Sequence, residues 1–304
     1  MIALLLIPLV LPFALPLLAR RVVDRVRPEV ALWTLTSASA ILLGVLLLPL
    51  LLAVPLLAGL AHLIQPLDAG PQALVMVVSV LAGGGLAAGC GTVVRKVLSE
   101  LRRLRAAHLD VAGLPEAGGL CVIDDARPDA YALPGGLRTA GRIVVTTGML
   151  RALTPGERSV LLAHERAHLA GRHHLFLAAS QLSGWCHPAL AGVTRLVSFA
   201  AERAADESAA LATGDRTLAA NAVGHAALAT TRARAVLPAF APGAVTGPVP
   251  ARVTALLAHA PVRRLAPALL AMVMLTGVAG GSALVGAVSV HRGVEIAQGE
   301  LPSD

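Results

Sequence analysis

From residue 30 to residue 60 the chain runs for 31 residues without a single charged side chain. A helix needs about 20 mostly apolar residues to cross the hydrocarbon core of a bilayer, so this run is long enough to span one. Three more apolar runs join it, at residues 1–19, 72–94 and 265–289. Composition agrees: 56% of residues are hydrophobic, only 14% are charged, and the mean hydropathy is +0.74. A soluble domain carries about a quarter charged residues. The sequence therefore predicts a membrane protein with four spans. Cys90, Cys121 and Cys186 follow no CxxC spacing, which excludes a disulfide framework and a cysteine-ligated metal. Aromatic residues make up 2% of the chain, too few for a base-stacking surface.

The net charge of +7 has a topological explanation. Arg20, Arg21, Arg25 and Arg27 follow the first run; Arg95, Lys96, Arg102, Arg103 and Arg105 follow the third; Arg263 and Arg264 precede the fourth. The loop at residues 61–71 has no Lys or Arg. Basic loops stay on the cytoplasmic side. With four spans, that rule places residues 95–264 in the cytoplasm, both termini outside, and residues 290–304 in a short extracytoplasmic tail. No nucleic-acid partner is needed to account for the arginines. None of the spans has an Asp, Glu, Lys, Arg or His in its interior, so a transporter or channel is disfavoured. The chemistry is expected in the loop.

Within 95–264, Leu120–Asp124 and Arg142–Thr147 are β-branched runs bounded by turn residues, hence strands, with a further extended piece in 129–136. Thr154-Pro155-Gly156-Glu157 has the form of a capping box with Pro at the first helical position, opening a helix through Ala170. That helix carries His164-Glu165-Arg166-Ala167-His168. Positions i and i+4 share a helix face, so both imidazoles can bind one metal ion, with Glu165 beside them as general base.

Two residues compete for third ligand. His174 fits the HExxHxxGxxH spacing of the metzincins, which also need a methionine turn beneath the site. Met149 precedes the motif, and Met76, Met272 and Met274 lie in predicted spans. Glu202 is favoured. It pairs with Asp206 on one helix face, where Asp206 can accept a hydrogen bond from a ligand imidazole. His173 and His174 are then expected to be solvated or interfacial. The apolar segment 175–199 must break and return, because a single crossing would put Glu202 on the wrong side.

These blocks, HERAHLAGRHH with AYALPGG and RIVVTTGML upstream and ERAADESAA downstream, resemble the M56 and M48 families of membrane metallopeptidases over residues 120–225. The loop between the second and third runs and the short C-terminal end favour the M56 branch. The resemblance implies a multi-pass α-helical membrane protein with a mostly helical α+β zincin-like (gluzincin) catalytic domain. It implies one Zn²⁺ per chain on His164, His168 and Glu202, Glu165 as base and then proton donor, and Asp206 behind the ligands. It also implies a substrate edge strand at Ala130, Tyr131 and Ala132. Arg203 and His225 are candidates for stabilising the oxyanion. Expected partners are the lipid bilayer and a protein or peptide substrate, either a transcriptional repressor or a misfolded membrane protein. The competing class is a catalytically silent zinc-bound scaffold or receptor, against which the presence of Glu165 argues. Antibiotic-sensing M56 receptors carry an extracellular sensor domain after the last span. Only residues 291–304 stand there, so a signal is expected through the helices, a partner or the substrate. The stretch 233–250 is expected to be a loose linker, a lid or a self-cleavage site.

Overall fold

The structure, a computed structural model, describes residues 11–62, 72–136, 140–230, 248–258 and 267–297. After a 3-10 turn at Leu11–Ala14 come helices α1 (Leu15–Arg25), α2 (Pro28–His62) and α3 (Gln72–Val111). Four short strands follow: β1 (Glu116–Ala117), β2 (Leu120–Ile123), β3 (Ala130–Leu133) and β4 (Arg142–Thr146). The rest is helical: α4 (Thr147–Ala152), α5 (Pro155–Ala170), α6 (His173–Cys186), α7 (Pro188–Thr213), α8 (Arg216–Thr230), α9 (Val249–Leu257) and α10 (Pro267–Ala297).

The strands form one sheet in the order β1-β2-β4-β3, with β2 parallel to β4 and β3 antiparallel to it. In β4, buried Ile143 and Val145 pack with Met149 and Leu153 and, across the layer, with Leu161, Leu162 and Leu169 of α5. Val144 points the other way, onto Val111 and Leu133. The period-two alternation of a strand thus gives β4 two buried faces. β3, at the sheet's edge, lies against α5.

Two hydrophobic cores share α7. Its first half sets Leu190, Val193 and Val197 among Leu15 and Val22 of α1, Leu35 and Leu42 of α2, Phe176 of α6 and Met272 of α10. Its second half sets Ala209 and Ala210 among Val160 of α5, Ala219 and Ala220 of α8 and Leu256 of α9. Alanines at 200, 201, 204 and 205 are all buried. Small side chains on that face let helix axes approach closely.

The segment 175–199 breaks as the sequence expects. α6 ends at Cys186, His187 is extended (φ −145°, ψ 128°), and α7 begins at Pro188. Proline at the first helical position gives up no hydrogen bond. The two arms lie close: Thr194 Oγ1 donates to the Ser180 carbonyl at 2.9 Å, and a Cβ on Gly184 would meet the Ala191 Cα at 3.0 Å. This hairpin turns the chain back toward α5.

Among the described residues, one segment, Pro28–Val45, is long and apolar enough to cross a membrane. The shorter segment Leu269–Ser282 is apolar too. The runs at 30–60 and 72–94 fall in α2 and α3, and α3 continues well past 94, to Val111. Of the run at 265–289, residues 267–289 lie in α10. Of the first run, residues 1–10 lie outside the described residues; the remainder leads into the 11-residue α1. At 1.5 Å per residue α1 is about 16 Å long, half of what a bilayer core requires. Residues 231–247, Arg263, Arg264 and the tail beyond 297 also lie outside the described residues.

Candidate metal centre

α5 starts where the sequence places it. The Thr154 Oγ1 accepts from the Glu157 N–H at 3.4 Å, and Glu157 Oε2 accepts from the Thr154 N–H at 2.8 Å. Both halves of the capping box satisfy amide groups that the first turn leaves orphaned. The helix then buries His164, Glu165 and His168. On α7, Glu202 and Asp206 sit one turn apart and are buried too.

The helix pair brings three donors together: His164, His168 and Glu202 each offer one ligand atom, all within 4.8 Å of one another. The two Nε2 atoms are 3.0 Å apart, and each stands 3.6 Å from a Glu202 oxygen. Tetrahedral donors about 2.05 Å from a zinc ion stand about 3.4 Å from each other. The spacing and chemistry of these residues therefore fit a zinc site with two imidazoles and one carboxylate. Asp206 Oδ1 lies 3.0 Å from His164 Nδ1, which leaves His164 Nε2 to face the cluster.

A fifth participant comes from α9. Arg252 is buried; its Nε and Nη2 reach Asp206 Oδ2 and Oδ1 at 2.7 and 2.6 Å, and its Nη1 reaches Glu202 Oε2 at 2.8 Å. Sequence reasoning missed it. The signal that was there is Arg252 one helical turn before Leu256, which puts a cation on the apolar face of α9. A buried guanidinium needs carboxylates.

Burial works against charge on every group here, and the pairings decide the outcome. Glu202 would be raised by burial, but the Arg252 guanidinium and a hydrogen bond with His164 hold it well below the usual carboxylate range. Asp206 is lowered against the same burial penalty by its bonds to Arg252 and then His164. Burial disfavours a charged His164, yet Asp206 and Glu202 push it up to about 10. One guanidinium against two carboxylates leaves the pocket a site that welcomes a further positive charge, as a metal ion would supply. Burial pushes Glu165 up to about 7.

The other expected residues fall as follows. β3 holds Ala130, Tyr131 and Ala132 at the edge of the sheet. The Ala132 backbone N–H donates to Glu165, so this strand borders that carboxylate. Tyr131 packs against the Val111, Leu133 and Val144 core. The two oxyanion candidates are bonded to other partners. Arg203 turns away and donates from Nη1 to the Val23 carbonyl of α1 at 2.9 Å. His225 binds Glu157 at the start of α5, seven residues and about 10 Å of helix before His164. His174 is not among the grouped donors, and His173, expected to be solvated or interfacial, is buried against His168 at 2.9 Å between Nδ1 atoms.

Residues 96–236 match the family model of Peptidase family M48. The matched stretch contains His164, Glu165, His168, Glu202 and Asp206, and it ends before Arg252. The expected preference for the M56 branch gains no support from it. No solved structure matches the chain.

Proposed function

We propose that this chain, a metallopeptidase of family M48 by its matched region, is a zinc-dependent endopeptidase anchored in the cytoplasmic membrane. The observation that carries the reading is the buried His164–His168–Glu202 group with Glu165 beside it. When bound, zinc supplies a Lewis acid that makes a water nucleophilic at neutral pH and polarises a peptide carbonyl. Glu165 takes the proton of the attacking water and returns it to the leaving amine. Asp206 and Arg252 hold His164 and Glu202 in place and bar them from turning to solvent. β3, half-buried at the edge of the sheet beside Glu165, is the strand that would receive an extended peptide as an added strand, with main-chain hydrogen bonds giving affinity without reading side chains. A substrate so recognised is an unfolded or extended segment, either in a transcriptional repressor or in a misfolded membrane protein.

Exposed apolar side chains support the anchoring. Ile41 on α2, Val80 and Leu81 on α3, and Leu270, Met274 and Leu284 on α10 are all open to the surroundings, which suits contact with lipid. Val45 of α2 stands 4.0 Å from where a Cβ on Gly280 of α10 would lie, while Val111 at the end of α3 packs on the sheet. That arrangement is compatible with basic residues 20–27 and 95–105 lying on the peptidase side, which the positive-inside rule makes cytoplasmic.

The test is cleavage of casein by protein purified in detergent. Wild type cleaves, a chelator stops it, added zinc restores it, and Glu165→Gln lowers kcat by about 10²- to 10⁴-fold while retaining the metal. Zinc-loaded wild type that cleaves no more than Glu165→Gln contradicts a peptidase and favours a zinc-bound scaffold.

A further inference from the structure

His168 has two ring nitrogens and both are engaged. Nε2 faces His164 Nε2 at 3.0 Å and Glu202 at 3.6 Å, so Nδ1 is turned away from the donor group. It meets the Nδ1 of His173 at 2.9 Å, with the two rings at 89° to each other. Two facing imidazole nitrogens make a hydrogen bond only if one carries the proton and the other a lone pair. A ligand imidazole gives its Nε2 lone pair to the metal and so keeps its proton on Nδ1.

His173 does not reach this place by helical spacing, since a residue five positions on lies off the face of His168. A local device puts it there. Arg172 adopts the left-handed conformation, φ 49° and ψ 40°, and is the one non-glycine residue with positive φ among the described residues. Such backbone persists where the surroundings over-determine it. Gly171, by contrast, is right-handed at φ −76°, so conformation does not demand glycine there. Space does: a Cβ would come within 2.5 Å of His173 Nε2 and 2.8 Å of its Cδ2. The glycine, the strained arginine and the nitrogen pair converge on one ring.

We propose that His173 is a positioning residue of the metal centre. Its Nδ1 accepts from His168 Nδ1–H and fixes the tautomer and ring angle that aim His168 Nε2 at the metal, as Asp206 does for His164. The two ligands thus lean on different partners, a carboxylate behind His164 and a neutral imidazole behind His168. This inference rests on the zinc reading above.

The experiment measures Zn²⁺ affinity of the detergent-purified full chain by competition with a chromophoric chelator, together with the visible spectrum of the Co²⁺-loaded protein. His173→Phe keeps a ring but no acceptor; His173→Asn keeps an acceptor near the Nδ1 position. The expected result is zinc binding about 10- to 100-fold weaker for Phe, with a shifted Co²⁺ spectrum, and affinity restored to near wild type in Asn. Gly171→Ala, which touches no ligand, is expected to weaken zinc binding by crowding the ring, and serves if the Phe variant fails to fold. Wild-type affinity and spectrum in Phe or in Gly171→Ala, or an Asn variant as weak as Phe, overturns the proposal and leaves the zinc reading standing. Wild type that binds no zinc overturns both.

Discussion

Arg252 approaches the cluster from 46 residues beyond Asp206 and lies between two buried carboxylates. Removing one partner of a buried ion pair leaves uncompensated charge, at about 3–5 kcal/mol. Arg252→Met is therefore expected to lower the thermal midpoint of the zinc-free protein in detergent by several degrees. An unchanged midpoint contradicts the role given to Arg252. At this scale the sequence was legible where the chemistry is local. His164, Glu165 and His168 declare themselves by helical spacing, and Glu202 with Asp206 by two carboxylates on a helix of alanines. Arg252 follows a Pro/Ala-rich stretch, residues 233–250, that reads as linker, and nothing local says what it faces. His173 was hidden because its position depends on a left-handed backbone at Arg172, where no glycine marks it. Nothing in the sequence selects Arg203 or His225 for the oxyanion; their partners, the Val23 carbonyl and Glu157, are tertiary choices.

The first turn of α5 sets the pose of everything after it, and it carries a pH dependence of its own. Glu157 is held below its ordinary value by the Thr154 backbone N–H, against burial, with help from the Thr154 hydroxyl and His225. A carboxylate whose folded pKa is depressed contributes stability that is whole above its unfolded value, about 4.5, and is lost as the pH falls through the folded one. The midpoint of wild type should therefore drop more steeply below about pH 4.5 than that of Glu157→Gln, whose midpoint at neutral pH should be lower by the equivalent of about 1 kcal/mol. Parallel curves for the two proteins contradict the cap's part in this. Elements of this kind were readable: the capping box and the strand beginning at Arg142 come from residues with one strong local preference, while the break within 175–199 followed from the need to keep Glu202 on the side of His164 and His168. The extent of α3 was not, because its second half is polar and amphipathic and carries no apolar run to announce it.

For the whole molecule the sequence gives a pattern of apolar runs, and the structure gives what they pack against. α2, α6, α7 and α10 share one core with the short α1, so the N-terminal helices brace the same helix that presents Glu202. Arg203, next to Glu202, clasps the last turn of α1. The four-span reading predicts that a phosphatase fused after Asp304 is active outside the membrane, while the same reporter placed after Thr213 is silent. The reverse pattern contradicts the orientation. The central claim is narrower than topology: two imidazoles and one carboxylate from two helices bind a single zinc ion. X-ray absorption of the purified, zinc-loaded chain tests it most directly. The account predicts one zinc per chain with a shell of two imidazole nitrogens and light oxygen donors; a chain that holds no zinc, or a shell with three imidazoles, contradicts it.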